Sequence, residues 1–242
     1  MTVYFDNAST TRVHERVAAV MTDIMLRDYA NPSSSHGPGR RARLRLEEAR
    51  AVVASALGAS PKELFFTSGG TEANNWAILG AAQLRYHAGR HIISSAAEHD
   101  AVRRPLEYLK SQGWDVTFLS PGKDGRISID DFAAALREDT VLASIMLVNN
   151  ETGAINPISE MTRLLALRRL KTLFHCDAVQ GFMKTPFTAK SLGADLISVS
   201  AHKIHGPKGV GALYVKSGLR LPPLLRGGSQ EGEMRAGTES LP

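Results

Sequence analysis

The most informative part of the sequence is Ser200-Ala201-His202-Lys203-Ile204-His205-Gly206-Pro207-Lys208-Gly209-Val210-Gly211. An apolar run, Ala194 to Val199, leads directly into it. Because that run is short, apolar and ends at a turn signal, it predicts a buried strand. Lys203 is therefore expected just beyond the carboxyl end of a core strand, in a loop rich in glycine and proline. Ligands of open α/β sheets bind at that edge.

Short apolar runs alternate with segments of helical spacing through most of the chain. The predicted strands are 63–67, 91–95, 115–119, 141–148, 172–176, 195–200 and 210–215. The predicted helices include 71–87, 100–112, 128–138 and one that begins at Pro157. This alternation predicts an α/β fold, a mostly parallel sheet with helices on both faces. The Gly-rich connection before the last strand is too short for a helical crossover, so that strand is predicted to be antiparallel.

Length, composition and charge limit the class of protein. The chain has 242 residues, 43% of them hydrophobic, which argues against whole-chain disorder. Its net charge is +5, and much of the excess lies between Arg40 and Arg50. That segment is predicted to be a helix with a basic, solvated outer face. No aromatic residues interleave there for base stacking, so a nucleic-acid partner is not expected.

The single cysteine, Cys176, allows no disulfide within the chain and fits a reducing compartment. The first residues show no basic segment followed by an apolar one, so no signal peptide is predicted. The longest apolar run, Val141 to Val148, is too short to span a bilayer. We expect a soluble, cytoplasmic protein with no membrane partner.

A candidate phosphate site follows the strand at 63–67. Thr67-Ser68-Gly69-Gly70-Thr71-Glu72 lies between that strand and a helix. Glycines let the backbone approach an anion, and the free N–H groups of a helix start point at it. The same residues also fit an ordinary capped turn, and this alternative stays open.

Four further polar groups follow other predicted strands. Asp177 ends an apolar strand, where a carboxylate needs a partner such as a protonated pyridine nitrogen; the alternative is a helix cap. Gln180 lies three residues on. His99 fits ring stacking and proton transfer or a purely structural role. Asn150 fits an amide contact to a ring oxygen or substrate, or a simple turn.

These groups share a predicted edge of the sheet, since each follows the carboxyl end of a predicted strand, Asp177 and Gln180 after the same one. A partly desolvated lysine loses its proton more readily and forms a Schiff base with an aldehyde. Together with the phosphate cradle and the ring partner, Lys203 therefore predicts a site for pyridoxal phosphate. No metal site is predicted.

The sequence resembles the NifS-like cysteine desulfurases of the class-V aminotransferase family. The resemblance runs from the first residues to the last and rests on eight motifs, which are 4–11, 31–36, 68–72, 98–99, 149–153, 175–180, 200–203 and 235–239. It implies the large domain of a fold-type I pyridoxal-phosphate-dependent transferase over residues 1–242. Residues 1–16 would form an N-terminal arm and helix start, and 217–242 a tail that leads toward a C-terminal small domain.

The resemblance also implies roles for individual residues. Lys203 and His99 would be catalytic, and His99 would stack on the ring. Thr238 would reach the phosphate bound by the neighbouring subunit of a homodimer. The implied cofactor-binding residues are Gly70, Thr71, His99, Asn150, Asp177, Gln180, Ser200, His202, Lys203 and Thr238.

The family reaction converts L-cysteine to L-alanine and passes the sulfur, as a persulfide, to an iron–sulfur scaffold or thiolation partner. The nucleophilic cysteine and the arginine that binds the substrate carboxylate would lie beyond Thr238, past the end of this chain. Cys176 is predicted to be a core thiol instead. We therefore expect this chain alone to desulfurate cysteine poorly.

Two alternatives stay open. In the first, the chain is a non-catalytic cofactor-binding fragment that pairs with another polypeptide. In the second, it is a related enzyme, a selenocysteine lyase or a class-V aminotransferase.

Overall fold

A computed structural model describes residues 3–242. Its centre is a seven-stranded sheet with the order β1-β7-β6-β5-β4-β2-β3. The strands are β1 (Leu64–Thr67), β2 (His91–Ser95), β3 (Asp115–Leu119), β4 (Thr140–Ser144), β5 (Leu173–Asp177), β6 (Leu196–Ser200) and β7 (Gly211–Val215). The predicted mixed, mostly parallel sheet is confirmed.

Only β7 runs against its neighbours. It pairs antiparallel with both β6 and β1, as predicted from its short connection, while β3, β2, β4, β5 and β6 pair in parallel. The carboxyl ends of all strands except β7 therefore share one edge of the sheet.

Helices cover both faces of the sheet. They are α1 (Glu15–Arg27), α2 (Gly37–Ala56), α3 (Gly70–Arg85), α4 (Asp100–Ser111), α5 (Ile129–Ala135), α6 (Ile158–Leu167) and α7 (Ala189–Leu192). Apolar residues of α3 and α4 pack with one set of strand side chains, and those of α5, α6 and α7 pack with the other. Adjacent strand residues such as Ile92 and Ile93 belong to opposite cores, as the period of a strand requires. No helix between residues 3 and 242 is long and apolar enough to cross a membrane.

A close backbone approach fixes the start of α3. Gly69 has φ 153° and ψ −179°, a conformation that is open almost only to glycine. A Cβ atom on Gly211 would lie 2.6 Å from the carbonyl carbon of Gly69. The first residue of β7 thus supports the turn that leads from β1 into α3.

The predicted strand at 141–148 is too long. β4 ends at Ser144, although the chain stays buried through Leu147. Beyond the strand, side chains replace part of the ladder: Glu98 accepts from the Met146 amide, and Asn156 donates to the Met146 carbonyl, both at 2.9 Å. Apolar composition alone cannot show where such side chains take over from a neighbouring strand.

The predicted basic outer face of α2 is wrong at Arg50. Arg50 is only 8% exposed. Its two terminal nitrogens donate to the carboxylate of Glu231, each at 2.7 Å, and one also donates to the carbonyl of Leu64 at 2.9 Å. The other arginines of the run are exposed, as predicted; they are Arg40, Arg41, Arg43 and Arg45.

Candidate active site

A cavity of about 540 Å³ opens at the edge that the carboxyl ends of the strands share. Every predicted cofactor-binding residue except Thr238 lines it, namely Gly70, Thr71, His99, Asn150, Asp177, Gln180, Ser200, His202 and Lys203. Thr238 is exposed in the tail and does not line the cavity.

Lys203 lies at the end of a short 3₁₀ turn that directly follows β6. Its side chain is half-buried, and Nζ donates to the carbonyl oxygens of Ala8 at 2.7 Å and Ser9 at 2.6 Å. Burial lowers the pKa of Lys203, and the charge of Lys184 lowers it further, against the opposing effect of Asp177 and Asp6. The amine is thus biased toward its neutral, nucleophilic form.

The N-terminal arm forms one wall of the cavity through Asp6, Ala8 and Ser9. Thr11 anchors the arm, because its amide and its hydroxyl both donate to the His202 carbonyl at 2.9 Å. Sequence reasoning assigned the arm no role at the site. The polar cluster at residues 6–11 was the available signal.

Asp177 is the last residue of β5 and is only 6% exposed. Its carboxylate accepts from Asn74 Nδ2 at 2.7 Å and from the Val179 amide at 2.9 Å. Burial raises the pKa of Asp177, and these donors together with His99 and Lys203 lower it in part. Sequence reasoning missed Asn74, whose signal is an amide on a helix face that is otherwise apolar.

The first turn of α3 forms one side of the cavity through Gly70 and Thr71. Gly69 precedes this helix of 16 residues, and no side chain in the described part of the chain caps it there. The N–H groups at Gly70 and Thr71 therefore remain for a ligand, at the positive end of the helix dipole. Burial lowers the pKa of His202, and three nearby lysines lower it further. Their charge favours an anion in this part of the cavity.

His99 combines the two roles left open by its sequence. It is the N-cap of α4, and its Nδ1 accepts from the Ala101 amide at 3.0 Å. A neutral ring in this arrangement carries its proton on Nε2. Because the same side chain lines the cavity, a structural and a ligand-facing role are compatible.

Cys176 lies next to Asp177 in β5 but belongs to the core cluster on the other side of the sheet. It is fully buried. Burial raises its pKa well above the ordinary value, and the carboxyl groups of Asp177 and Glu98 add to that effect. Cys176 is therefore a neutral core thiol, not a thiolate nucleophile.

We predict that a reagent which modifies accessible thiols reacts with Cys176 only after the chain unfolds. The folded chain should show no reaction on the timescale on which a free cysteine reacts fully, and denaturant should release one thiol per chain. Reaction of the folded chain at the rate of free cysteine would contradict the buried placement.

Comparisons with known proteins identify the family. Residues 3–240 match the family described as Aminotransferase class-V. Cysteine desulfurase IscS of Dictyoglomus turgidum is 46% identical over 239 residues, which are 99% of this chain and 60% of the relative. A putative cysteine desulfurase, IscS 1 of Bacillus subtilis, is 46% identical over 99% of this chain and 63% of its own length.

Solved structures show the same fold. A NifS-like protein superposes with a TM-score of 0.97 at 43% identity, over 100% of this chain and 66% of its own. A structure described as SspA in complex with cysteine gives a TM-score of 0.95 at 39% identity, over 99% of this chain and 69% of its own. The chain thus spans about 60% of the length of the curated relatives it matches. It belongs to the class-V aminotransferase family and, within that family, is similar to NifS-like cysteine desulfurases.

Proposed function

We propose that the cavity binds pyridoxal phosphate, and that the chain supplies the cofactor-binding part of a cysteine desulfurase. One observation carries the proposal: an amine of lowered pKa, Lys203, and a buried carboxyl group, Asp177, line the same cavity. The similar proteins of Dictyoglomus turgidum and Bacillus subtilis are named as cysteine desulfurases, which supports cysteine as the substrate.

The residues of the cavity fit three groups of the cofactor, which are its phosphate, its aldehyde and its ring nitrogen. The uncapped start of α3, with Ser200 and His202, suits a phosphate. Lys203 suits the aldehyde, and Asp177 suits a protonated ring nitrogen. In addition, Asn74 Oδ1, beside Asp177, is buried and has no partner among the described residues. A polar ligand would complete the hydrogen bonding of this region.

When bound, the cofactor supplies an aldehyde for the substrate amine and a ring that stores the electrons of the substrate Cα–H bond. The protein residues then have distinct tasks. Asp177 would hold the proton on the ring nitrogen, and His99 would pack against the ring. Lys203 and His99 are the cavity groups that can move the proton at the substrate Cα. Asn150 and Gln180, which line the same cavity, would contact the ring oxygen.

The substrate we propose is L-cysteine, which leaves as L-alanine after its sulfur passes to a thiolate as a persulfide. Cys176 is buried and neutral, so this thiolate has to come from outside the 242 residues of this chain. We further propose a cytoplasmic homodimer in which Thr238 of each chain faces the partner's cofactor phosphate. The sulfur would then move to an iron–sulfur scaffold or thiolation protein.

Titration with pyridoxal phosphate tests the proposal. The chain should develop the visible absorbance of the amine-bound cofactor, and this absorbance should be lost in Lys203→Ala. Lys190→Ala is the control, because Lys190 is an exposed lysine of α7 that does not line the cavity. Equal absorbance in Lys203→Ala and the unchanged chain would refute the assignment.

The lowered pKa of Lys203 predicts how cofactor capture depends on pH. Only the neutral amine attacks an aldehyde, so the capture rate should rise as pH increases through the lowered pKa. Lys184→Gln removes a charge that lowers this pKa, and it should move the profile to higher pH. Stopped-flow absorbance against pH measures the shift. A shift to lower pH would contradict the assigned charge effect.

A further inference from the structure

Two buried carboxyl groups, those of Asp177 and Glu98, lie near the edge of the sheet at which the cavity opens. Asp177 is 6% exposed and Glu98 is 7% exposed. Each sits at the carboxyl end of a parallel strand region, Asp177 in β5 and Glu98 just after β2, and the charge of Asp177 acts on Glu98. Two carboxylates in one buried region repel each other, and burial disfavours each charge separately. Both effects favour a proton on one of the two groups.

Hydrogen-bond donors decide which group is ionised. Both oxygens of Asp177 accept hydrogen bonds, from Asn74 Nδ2 and from the Val179 amide. Glu98 has a donor on one oxygen only, because Oε1 accepts from the Met146 amide at 2.9 Å. Its Oε2 is buried and has no partner among the described residues. A bare carboxylate oxygen costs far more in this setting than a neutral hydroxyl.

The other ionisable groups nearby favour the same assignment. His99 and Lys203 both act on Asp177 and favour its charged form. Cys176, next to Asp177 in β5, is a neutral thiol. Burial lowers the pKa of His175, in the same strand, to about 3, so its ring is neutral as well. Neither Cys176 nor His175 therefore supplies a positive charge that would stabilise an ionised Glu98. Burial and the charge of Asp177 hold the pKa of Glu98 well above its ordinary value.

We propose that Glu98 is a neutral carboxylic acid at neutral pH, and that it is a positioning residue which leaves Asp177 as the ionised member of this buried pair. This inference deepens the proposed function and rests on it, because a single buried anion is what a protonated ring nitrogen requires.

A neutral Glu98 side chain still accepts a hydrogen bond from the backbone. Glu98 Oε1 holds the Met146 amide, while the Leu147 amide donates to the Asp177 carbonyl at 2.8 Å. Adjacent amides of one segment are thus tied to Glu98 and to Asp177. That segment leads directly to Asn150 at the cavity wall.

Infrared spectroscopy of the unliganded 242-residue chain at neutral pH tests this assignment. The C=O stretch of a protonated carboxyl group should be present, should shift when glutamate is labelled with ¹³C at its side-chain carboxyl, and should not shift when aspartate is labelled. The band should be lost in Glu98→Gln, which keeps the acceptor for Met146, and retained in Asp177→Asn. The labelling experiment needs no substitution, so it stays decisive if a variant does not fold.

Two results would overturn the assignment. One is a protonated band that follows the aspartate label and disappears in Asp177→Asn; the other is no protonated band at all. Neither result depends on the cofactor, since the measurement uses the chain without it. Failure of this inference is thereby separated from failure to bind pyridoxal phosphate.

Discussion

Asp177→Asn is expected to weaken the binding of pyridoxal phosphate by roughly 30- to 160-fold, or about 2–3 kcal/mol for a lost hydrogen bond to a buried charge. The stability of the unliganded chain should change much less, by about 1 kcal/mol or less. Asn74 can turn its amide so that Oδ1, which is buried without a partner among the described residues, accepts from the new amide group. Absorbance titration and urea unfolding measure the two effects separately.

Asp195→Asn is the matched control. Asp195 is an aspartate next to the amino end of β6, away from the cavity, and it accepts from the Phe174 amide at 3.0 Å and pairs with Lys216 at 3.0 Å. Asp195→Asn should lower the stability of the chain but leave its affinity for the cofactor unchanged. If both substitutions weaken cofactor binding equally, Asp177 acts through the fold and not through the ring nitrogen.

Arg50→Ala is expected to lower the free energy of unfolding by about 3–5 kcal/mol, the cost of leaving one partner of a buried ion pair alone. Glu231 would lose both of its guanidinium donors, which lie at 2.7 Å, and keep only the Phe66 amide at 2.9 Å. The same pair fastens the tail to α2 and β1. Urea unfolding measures the loss.

Arg45→Ala provides the comparison within the same helix. Arg45 pairs with Asp28 at 3.3 Å, and its side chain is 54% exposed. Exposed pairs of this kind contribute about 1 kcal/mol or less. The double substitution Arg50→Met with Glu231→Leu should recover much of the loss, since apolar residues replace buried ion pairs at little cost. Equal effects of Arg50→Ala and Arg45→Ala would show that the buried pair does not hold the tail.

The positions of the strands along the chain were accessible from local sequence, because the apolar runs are short and separated by helical segments. The antiparallel β7 followed from a connection too short for a helix. Residues that follow strand ends, such as Lys203 and Asp177, were therefore expected at one edge, and the structure places both in one cavity. Whether they bind a cofactor there remains a prediction.

Long-range polar contacts were not accessible in the same way. Arg50 and Glu231 are 181 residues apart, and nothing in the helix around Arg50 distinguishes it from its exposed neighbours. The role of Asn74 follows only from its hydrogen bond to Asp177, and that of Glu98 from its hydrogen bond to the Met146 amide. These contacts depend on which strands become neighbours, and local periodicity contains no information about that.

Reduction of the cofactor-loaded chain with borohydride, followed by peptide mapping, tests the central claim most directly. We expect about one stable label per chain, carried by the peptide that contains Lys203, because Lys203 is the lysine that lines the cavity and burial lowers its pKa. Lys184 is the lysine to compare with Lys203 in the same peptide map. It lies next to the cavity, since it donates to Gln180 at 3.1 Å, and burial lowers its pKa as well. A label on Lys184, or spread over the exposed lysines, would contradict the account.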